Sequence, residues 1–298
     1  MPAWMTTLVD YISSAAVKVA AWLLTLTSTG VVALSEPPAP PVVPGTPDRL
    51  TQELTVMSFN VWTDKDSLDQ RLNGVVQTVL SERPDSFGLQ EAHEIWRFKL
   101  WWALRNDYGI ACWQGRYFGF QEATPIFYRK DKFCLVKQGV FWLSDKPGIA
   151  SMGWDANLPR VAGYAVLKDK KTGFTYAHFN THFDHMGQTA RANSARLAAD
   201  RINAMGKPAV LTGDLNARPG SLPIQYLEAG GLIDLRKAAG TTDTGGTYVG
   251  STGIIDYIYA NHYLRDEASA VYRVIRDQYD GMFPSDHFAV CATLTLAN

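Results

Sequence analysis

Cysteine is scarce in this 298-residue chain, which holds only Cys112, Cys134 and Cys291, without CxxC spacing and with an odd thiol left over. That speaks against a full disulfide framework and against a structural zinc site. Cys134 and Cys291 sit in strand-like runs and read as buried, inert thiols. An excess of one charge is also missing. Lys plus Arg is 28 and Asp plus Glu is 29, and Lys18, Asp10 and Glu36 fall in the first 36 residues, so the remainder carries 27 of each sign. A neutral body does not coat long duplexes through counterion release, although a local basic groove stays open to it. No internal repeat is apparent. No apolar run reaches the roughly 20 residues of a spanning helix. Tryptophan, at 9 residues, is the abundant exception. Most of these rings belong in cores, but Trp96, Trp102, Trp142 and Trp154 are candidates for the walls of a ligand site.

The length allows one large domain or two small ones, and 46% apolar residues is ordinary for a globular chain. Residues 1–36 stand apart. Their apolar run VAAWLLTLTSTGVVAL (19–34) is interrupted by Thr, Ser and Gly, and a Pro-rich linker follows over 37–50. Ala33 and Ser35 give small residues at a signal-peptidase spacing, yet only Asp10 and Lys18 carry charge before the run's end. An exported or membrane-anchored chain and a cytoplasmic one with a helix docking on a partner or membrane face stand level. From 51 to 298 the pattern is regular. Strands are expected at 54–61, 86–90, 109–114, 124–130, 133–143, 160–168, 174–182, 208–213, 254–260, 268–275 and 287–296. Helices are expected at 67–82, from 91 to about 106, at 187–205 and at 222–229. Helices alternate with strands at the ends while paired strands fill the middle, which points to stacked sheets with helices outside.

Five motifs share one layout, an apolar run ending in a carboxylate, amide or imidazole: VMSFNVW (56–62), DSFGLQEA (85–92), FNTHFDH (179–185), VLTGDLNARPGS (210–221), and IIDYIYA (254–260) with PSDHFAV (284–290). Reactive groups collect in the loops at strand ends. In GDLN, Asp214 and Asn216 lie two apart and can address one small group, the carboxylate taking a proton and the amide donating to a phosphoryl oxygen. An Asx turn closing the strand explains the same pair. Asp256 inside an apolar run calls for a partner, and His287 provides one; backbone amides are the alternative. Glu91 and Asn60 are oxygen donors of the kind a hard cation takes, although strand ends often carry polar residues without one. His182, Asp184 and His185 raise the question of zinc, but carboxylates predominate and no cysteine accompanies them. Arg160, Asp184 and Arg191 are candidate substrate contacts, the arginines as phosphate clamps, with surface ion pairs as the plainer reading.

The order Asn60, Glu91, His182, Asp214-x-Asn216, Asp256, Asp286–His287 resembles the endonuclease/exonuclease/phosphatase superfamily, over roughly residues 54–296. PIFYRKDKF, FWLSDKPG, GWDANLPRVAGYAVLKDKKTG, NTHFDHMGQTARANSARL and GMFPSDHFAV resemble its bacterial branch. The resemblance implies a DNase I-like α/β (α+β) fold, a four-layer sandwich of two packed mixed β-sheets flanked by helices. It implies Mg²⁺ or Mn²⁺ on Glu91 with Asn60 and Asp286, and water activation by Asp214. Asn216 then binds phosphate, and His287 (on Asp256) and His182 face the phosphoryl group from two sides. The segment WTDKDSLDQR after SFNVW is shorter than is usual in the branch, so relatives' substrates do not transfer directly. The expected activity is metal-dependent phosphoester hydrolysis by a monomer, as a nuclease or phosphodiesterase on nucleic acid. Alternatives are a phosphomonoesterase acting on sugar, nucleotide or lipid head-group phosphates, and a silent binding protein on the same fold.

Overall fold

The computed structural model describes residues 52–64, 67–113, 123–243, 245–264 and 270–296. The expected leader (1–36) and linker (37–50) lie outside the described residues. No helix among the described residues is long and apolar enough to cross a membrane.

In chain order the elements are β1 (Gln52–Asn60), α1 (Leu68–Glu82), β2 (Ser86–Gln90), α2 (Glu94–Leu104), β3 (Tyr108–Ala111), β4 (Ile126–Arg129), β5 (Phe133–Trp142) and β6 (Val161–Asp169). Then come β7 (Thr175–His182), α3 (Gln188–Asn203), β8 (Ala209–Asp214), α4 (Leu222–Ala229), β9 (Ile233–Asp234), α5 (Leu235–Ala238), β10 (Asp256–Ala260), β11 (Ala270–Ile275) and β12 (Ala289–Leu296). They build two six-stranded sheets, ordered β11-β12-β1-β2-β4-β3 and β5-β6-β7-β8-β10-β9. The sheets repeat one connectivity. Each has a hairpin, then a parallel pair bridged by a helix (β1-α1-β2 and β7-α3-β8), then two antiparallel strands. This duplication leaves no repeat in the sequence, because the shared feature is backbone order rather than side chains.

Period-two alternation splits β1 between two cores. Leu54 and Val56 face the space between the sheets with Ile126, Val210, Ile258 and Val290. Met57 and Phe59 face α1 and α2, meeting Val75, Val79, Trp96 and Leu100. A third core packs α3 and α4, through Ala195, Ala198, Ile202, Ile224 and Leu227, on Phe179 and Leu211. The result is the expected helix–sheet–sheet–helix sandwich, each large apolar side chain contributing about 1.5–3 kcal/mol on burial. Helix α1 follows an apolar stripe and ends at Arg83, whose φ of 42° is left-handed, just before Pro84. Ser67 precedes it without a side-chain cap bond. Its hydroxyl instead accepts from Arg71 Nε at 2.7 Å and donates to Asp64. Cys291 is buried as expected, but Cys134 is exposed on β5 because strand alternation turns it outward.

Toward one end, the space between the sheets turns polar. Tyr176 and His178 Nδ1 both meet the Ser86 hydroxyl, at 2.8 and 2.7 Å, and His178 Nε2 meets Thr212 Oγ1 at 2.8 Å. Thr212 donates to Asn180 Oδ1, which also accepts from Gln90, and Gln90 reaches Ser58. A buried chain of hydrogen bonds thus ties β1 and β2 to β7 and β8. Gly88 makes room for it, since a Cβ there would lie 2.3 Å from Asn180 Oδ1 and 2.4 Å from Thr212 Oγ1. Burial pushes His178 down to about 3, so the ring is neutral.

Candidate active site

Beyond the polar layer, the carboxyl ends of both parallel pairs meet, and with them every strand-end group singled out above. Asn60 ends β1, Glu91 follows β2, His182 ends β7 and Asp214 ends β8. Asp256 opens β10, Asp286–His287 precedes β12 and Arg160 precedes β6. Ladder register sets His182 and Asp256 on either side of Asp214. Open α/β sheets collect ligand-binding groups at strand carboxyl ends, where connections diverge to opposite sides. Three residues here hold left-handed backbone without being glycine: Trp62 (φ 55°), Glu91 (φ 58°) and Asn216 (φ 47°). Such strain concentrates at functional sites.

Asp214 is the hub. Its Oδ2 accepts from Asn60 Nδ2 at 3.0 Å, and its Oδ1 accepts from the Asn216 backbone at 2.9 Å. The second bond is the Asx turn that served as the plainer reading of GDLN, so turn and site coexist in one residue. His182 Nε2 lies 3.5 Å and His287 Nε2 3.8 Å from Asp214 Oδ2. Asn216 Nδ2 donates to the Phe183 carbonyl at 3.1 Å, which fixes the amide's orientation. The same nitrogen therefore donates to His182 Nε2 at 3.1 Å. Asn60 Nδ2 also reaches Glu91 Oε1 at 3.0 Å, while Glu91 Oε2 accepts from the Thr63 backbone at 2.8 Å.

Asp256 is paired with His287 as its burial required, 2.9 Å from carboxylate to Nδ1. Burial alone would push His287 down, but Asp256, its hydrogen bond, Asp214 and Asp286 together hold it up at about 10. Burial raises Asp256, against the pull of the imidazolium. Asp286 is exposed at the mouth yet crowded; desolvation raises it, His287 pulls it back, and Glu91 raises it again. The carboxylates therefore crowd one another, with His287 as the neighbouring cation. Glu91, His182 and Asp214 each present a donor atom within 4.8 Å of the others, as do Asp214, Asp256 and His287. Hard oxygen donors in mutual repulsion fit a divalent cation such as Mg²⁺ or Mn²⁺. Asp286 stands outside both groups.

The remaining expected contacts are placed differently. Asp184 is 1% exposed, and its carboxylate accepts from the backbone of Leu158, Met186 and Gly187 at 3.1, 3.0 and 2.7 Å. Burial would raise it, but backbone amides, those of Gly187 and Asn157 foremost, hold it down at about 2. The geometry makes it the organiser of the 184–187 loop. Arg160 is buried 3.8 Å from Asp184 and reaches His185 at 3.3 Å, beside the strand end that carries His182. Arg191 donates to the Asp184 carbonyl at 2.8 Å from the first turn of α3. Trp96 lies fully buried under Arg71, not on a wall, because it falls on the inner face of α2.

Sequence reasoning passed over Arg71, Thr63, Arg218 and Tyr248. Arg71 is buried between the Trp62 and Trp96 rings, 4.7 and 5.1 Å from their centres. It donates to the carbonyls of Val61, Trp62, Asp64 and Pro284 at 2.7–3.1 Å, stapling the Asn60 loop to the Asp286 loop. An arginine on the apolar stripe of α1 was its only signal. Tyr248 lies with its ring 6.0 Å from that of His287.

Fold and site together define a DNase I-like sandwich with acids and imidazoles gathered at one edge. The chain belongs to the Endonuclease/Exonuclease/phosphatase family, whose profile matches residues 57–287. That family hydrolyses phosphoesters. Among solved structures, the chain is similar to an endonuclease/exonuclease/phosphatase family protein from Bacteroides thetaiotaomicron. The two are 31% identical, cover 84% of this chain and 97% of that one, and superpose with a TM-score of 0.76. A mannosyl-6-phosphatase of B. thetaiotaomicron VPI-5482 is 32% identical over 80% of this chain and 98% of that one, at a TM-score of 0.72. D. rerio TDP2 complexed with a single-strand DNA product shares the fold at 17% identity and a TM-score of 0.66, covering 81% and 98% of the two chains. No curated protein sequence matches the chain.

Proposed function

We propose that this protein is a divalent-metal-dependent hydrolase of small phosphoesters, attacking phosphorus in line with water and forming no covalent intermediate. The observation that carries the reading is the convergence of Asn60, Glu91, His182, Asp214, Asn216, Asp256 and His287 from six strand ends of one chain. That no member of this set is missing argues for catalysis over a silent binding role. Glu91, with Asn60 and Asp286, would hold a divalent cation, whose chemistry when bound would be neutralisation of phosphoryl charge. Asp214, oriented by two hydrogen bonds, takes the proton from the attacking water. His182, oriented at Nε2 by the Asn216 amide, faces the phosphoryl group from one side. His287, held by Asp256 at Nδ1, turns Nε2 toward it from the other and steadies the developing charge. The phosphorus–oxygen ester bond breaks, the leaving alkoxide takes a proton from solvent water, and Asp214 returns to solvent the proton it took.

The neutral body and the similarity to a mannosyl-6-phosphatase favour a small substrate such as a sugar phosphate over a polynucleotide. A nuclease or phosphodiesterase would use the same groups. Turnover of p-nitrophenyl phosphate against bis-p-nitrophenyl phosphate, with Mg²⁺ and with Mn²⁺, separates the two. The reading expects the monoester to be favoured, and a clear preference for the diester or for single-stranded DNA would overturn it.

A further inference from the structure

Beside Asn216 opens a cavity of about 400 Å³ that the hydrolytic groups do not need. Its volume lies in the roughly 300–1,000 Å³ range of small-ligand sites. Gln188, Arg191, Arg218 and Ser221 line it together with Asn216, and no acidic side chain does. Its charged side chains are thus guanidinia alone, beside Ala217, Leu222 and Pro223, whereas carboxylates gather around Asp214. Arg191 is half-buried and anchored by one nitrogen on the Asp184 carbonyl. A guanidinium has five N–H donors, so that bond orients it without exhausting it. Arg218 comes from the loop before α4 and is exposed. Its positive charge acts on the Tyr248 hydroxyl, and the Tyr248 ring is tilted 6.0 Å from that of His287. The cavity therefore runs from Asn216, which is bonded to His182, to two forked cations whose geometry matches phosphate oxygens.

We infer that this cavity is a second anion subsite, taking a phosphate carried on the leaving alcohol, so that the preferred substrate class is a small bisphosphorylated sugar, polyol or nucleoside. The inference rests on the phosphoester-hydrolase reading and narrows its substrate. Arg191 and Arg218 hold the second phosphate while His182 and His287 face the scissile one. Gln188 and Ser221 offer hydrogen bonds to the connecting hydroxyls.

The test compares inorganic phosphate release, with Mg²⁺, from mannose 1,6-bisphosphate against mannose 6-phosphate, and from adenosine 3′,5′-bisphosphate against adenosine 5′-monophosphate. The bisphosphate should be favoured in at least one pair by about 10- to 100-fold in kcat/KM, mostly through KM, as charge-assisted hydrogen bonds predict. A preference in both pairs supports a general phosphate reader, and a preference in one ties the subsite to that scaffold. Arg218→Gln should bring the ratio close to one. Because Arg191 also anchors the Asp184 loop, Arg191→Gln is judged beside its thermal midpoint, and Arg218→Gln is decisive. A wild-type ratio near one in both pairs, or a preference untouched by Arg218→Gln, overturns the inference while p-nitrophenyl phosphate turnover leaves the hydrolase reading standing. Absence of turnover on every substrate defeats the hydrolase reading, and the subsite falls with it.

Discussion

Lowering the pH from 7 to 5 should remove about 2 kcal/mol of stability through a single buried imidazole. His178 is fully buried between the sheets, bonded to Ser86 at 2.7 Å and Thr212 at 2.8 Å, and burial holds it down at about 3. In the unfolded chain it returns to about 6.5. Between those values the unfolded state binds a proton that the folded state refuses. The contribution is therefore whole above about pH 6.5 and falls by about 1.4 kcal/mol per pH unit as the pH drops toward 3. Other groups also titrate in this window, so the measurement is a difference. His178→Gln keeps a donor and an acceptor but cannot charge. It should cost about 1–3 kcal/mol at pH 7. At pH 5 the gap between wild type and variant should narrow by about 2 kcal/mol, read from urea midpoints by tryptophan fluorescence at pH 7, 6 and 5. A gap unchanged across that range would refute the neutral buried ring.

Gly88→Ala should destabilise by about 1–3 kcal/mol, visible as a lower urea midpoint, because its Cβ would strike Asn180 and Thr212. Arg71→Lys should cost about 2–3 kcal/mol and lower kcat as well, since lysine cannot span the four carbonyls joining the Asn60 and Asp286 loops; a stability loss with unchanged kcat would separate the staple from the site. Asp256→Asn should reduce kcat about 10²- to 10⁴-fold with little change in urea midpoint, and a KM effect alone would remove the His287 pairing from the chemistry.

Much of this was legible in the residues. Apolar runs closed by Asn60, Glu91, His182 and Asp214 give both the strands and the ends at which they stop, because burial and period-two alternation are written locally. Asp256 shows the strength of the argument, since a carboxylate among Ile254, Ile255, Tyr257 and Ile258 demanded a partner and His287 is there. Other features depend on distant chain. Asp184 read as a substrate contact, but its amide partners at 158 and 187 come together only when the loop before β6 folds against α3. Cys134 read as buried, though alternation on β5 turns it outward. Strand β9 has two residues and is defined by its pairing with β10 rather than by any pattern of its own. Arg218 lies within VLTGDLNARPGS without a role of its own there and acquires one from the cavity it lines, and Tyr248, which carries no motif, from its ring beside His287. The equal connectivity of the two sheets is a property of backbone order and has no sequence period.

The role proposed for Asp214 is the hub of a metal-dependent phosphoester hydrolase. Its most direct test is turnover of p-nitrophenyl phosphate by the full chain, stripped with EDTA and restored with Mg²⁺ or Mn²⁺, compared with Asp214→Ala. Activity should disappear with EDTA, return with the metal, and fall about 10²- to 10⁴-fold or more in a variant that still folds. Metal-independent turnover, or turnover unchanged in Asp214→Ala, would contradict it.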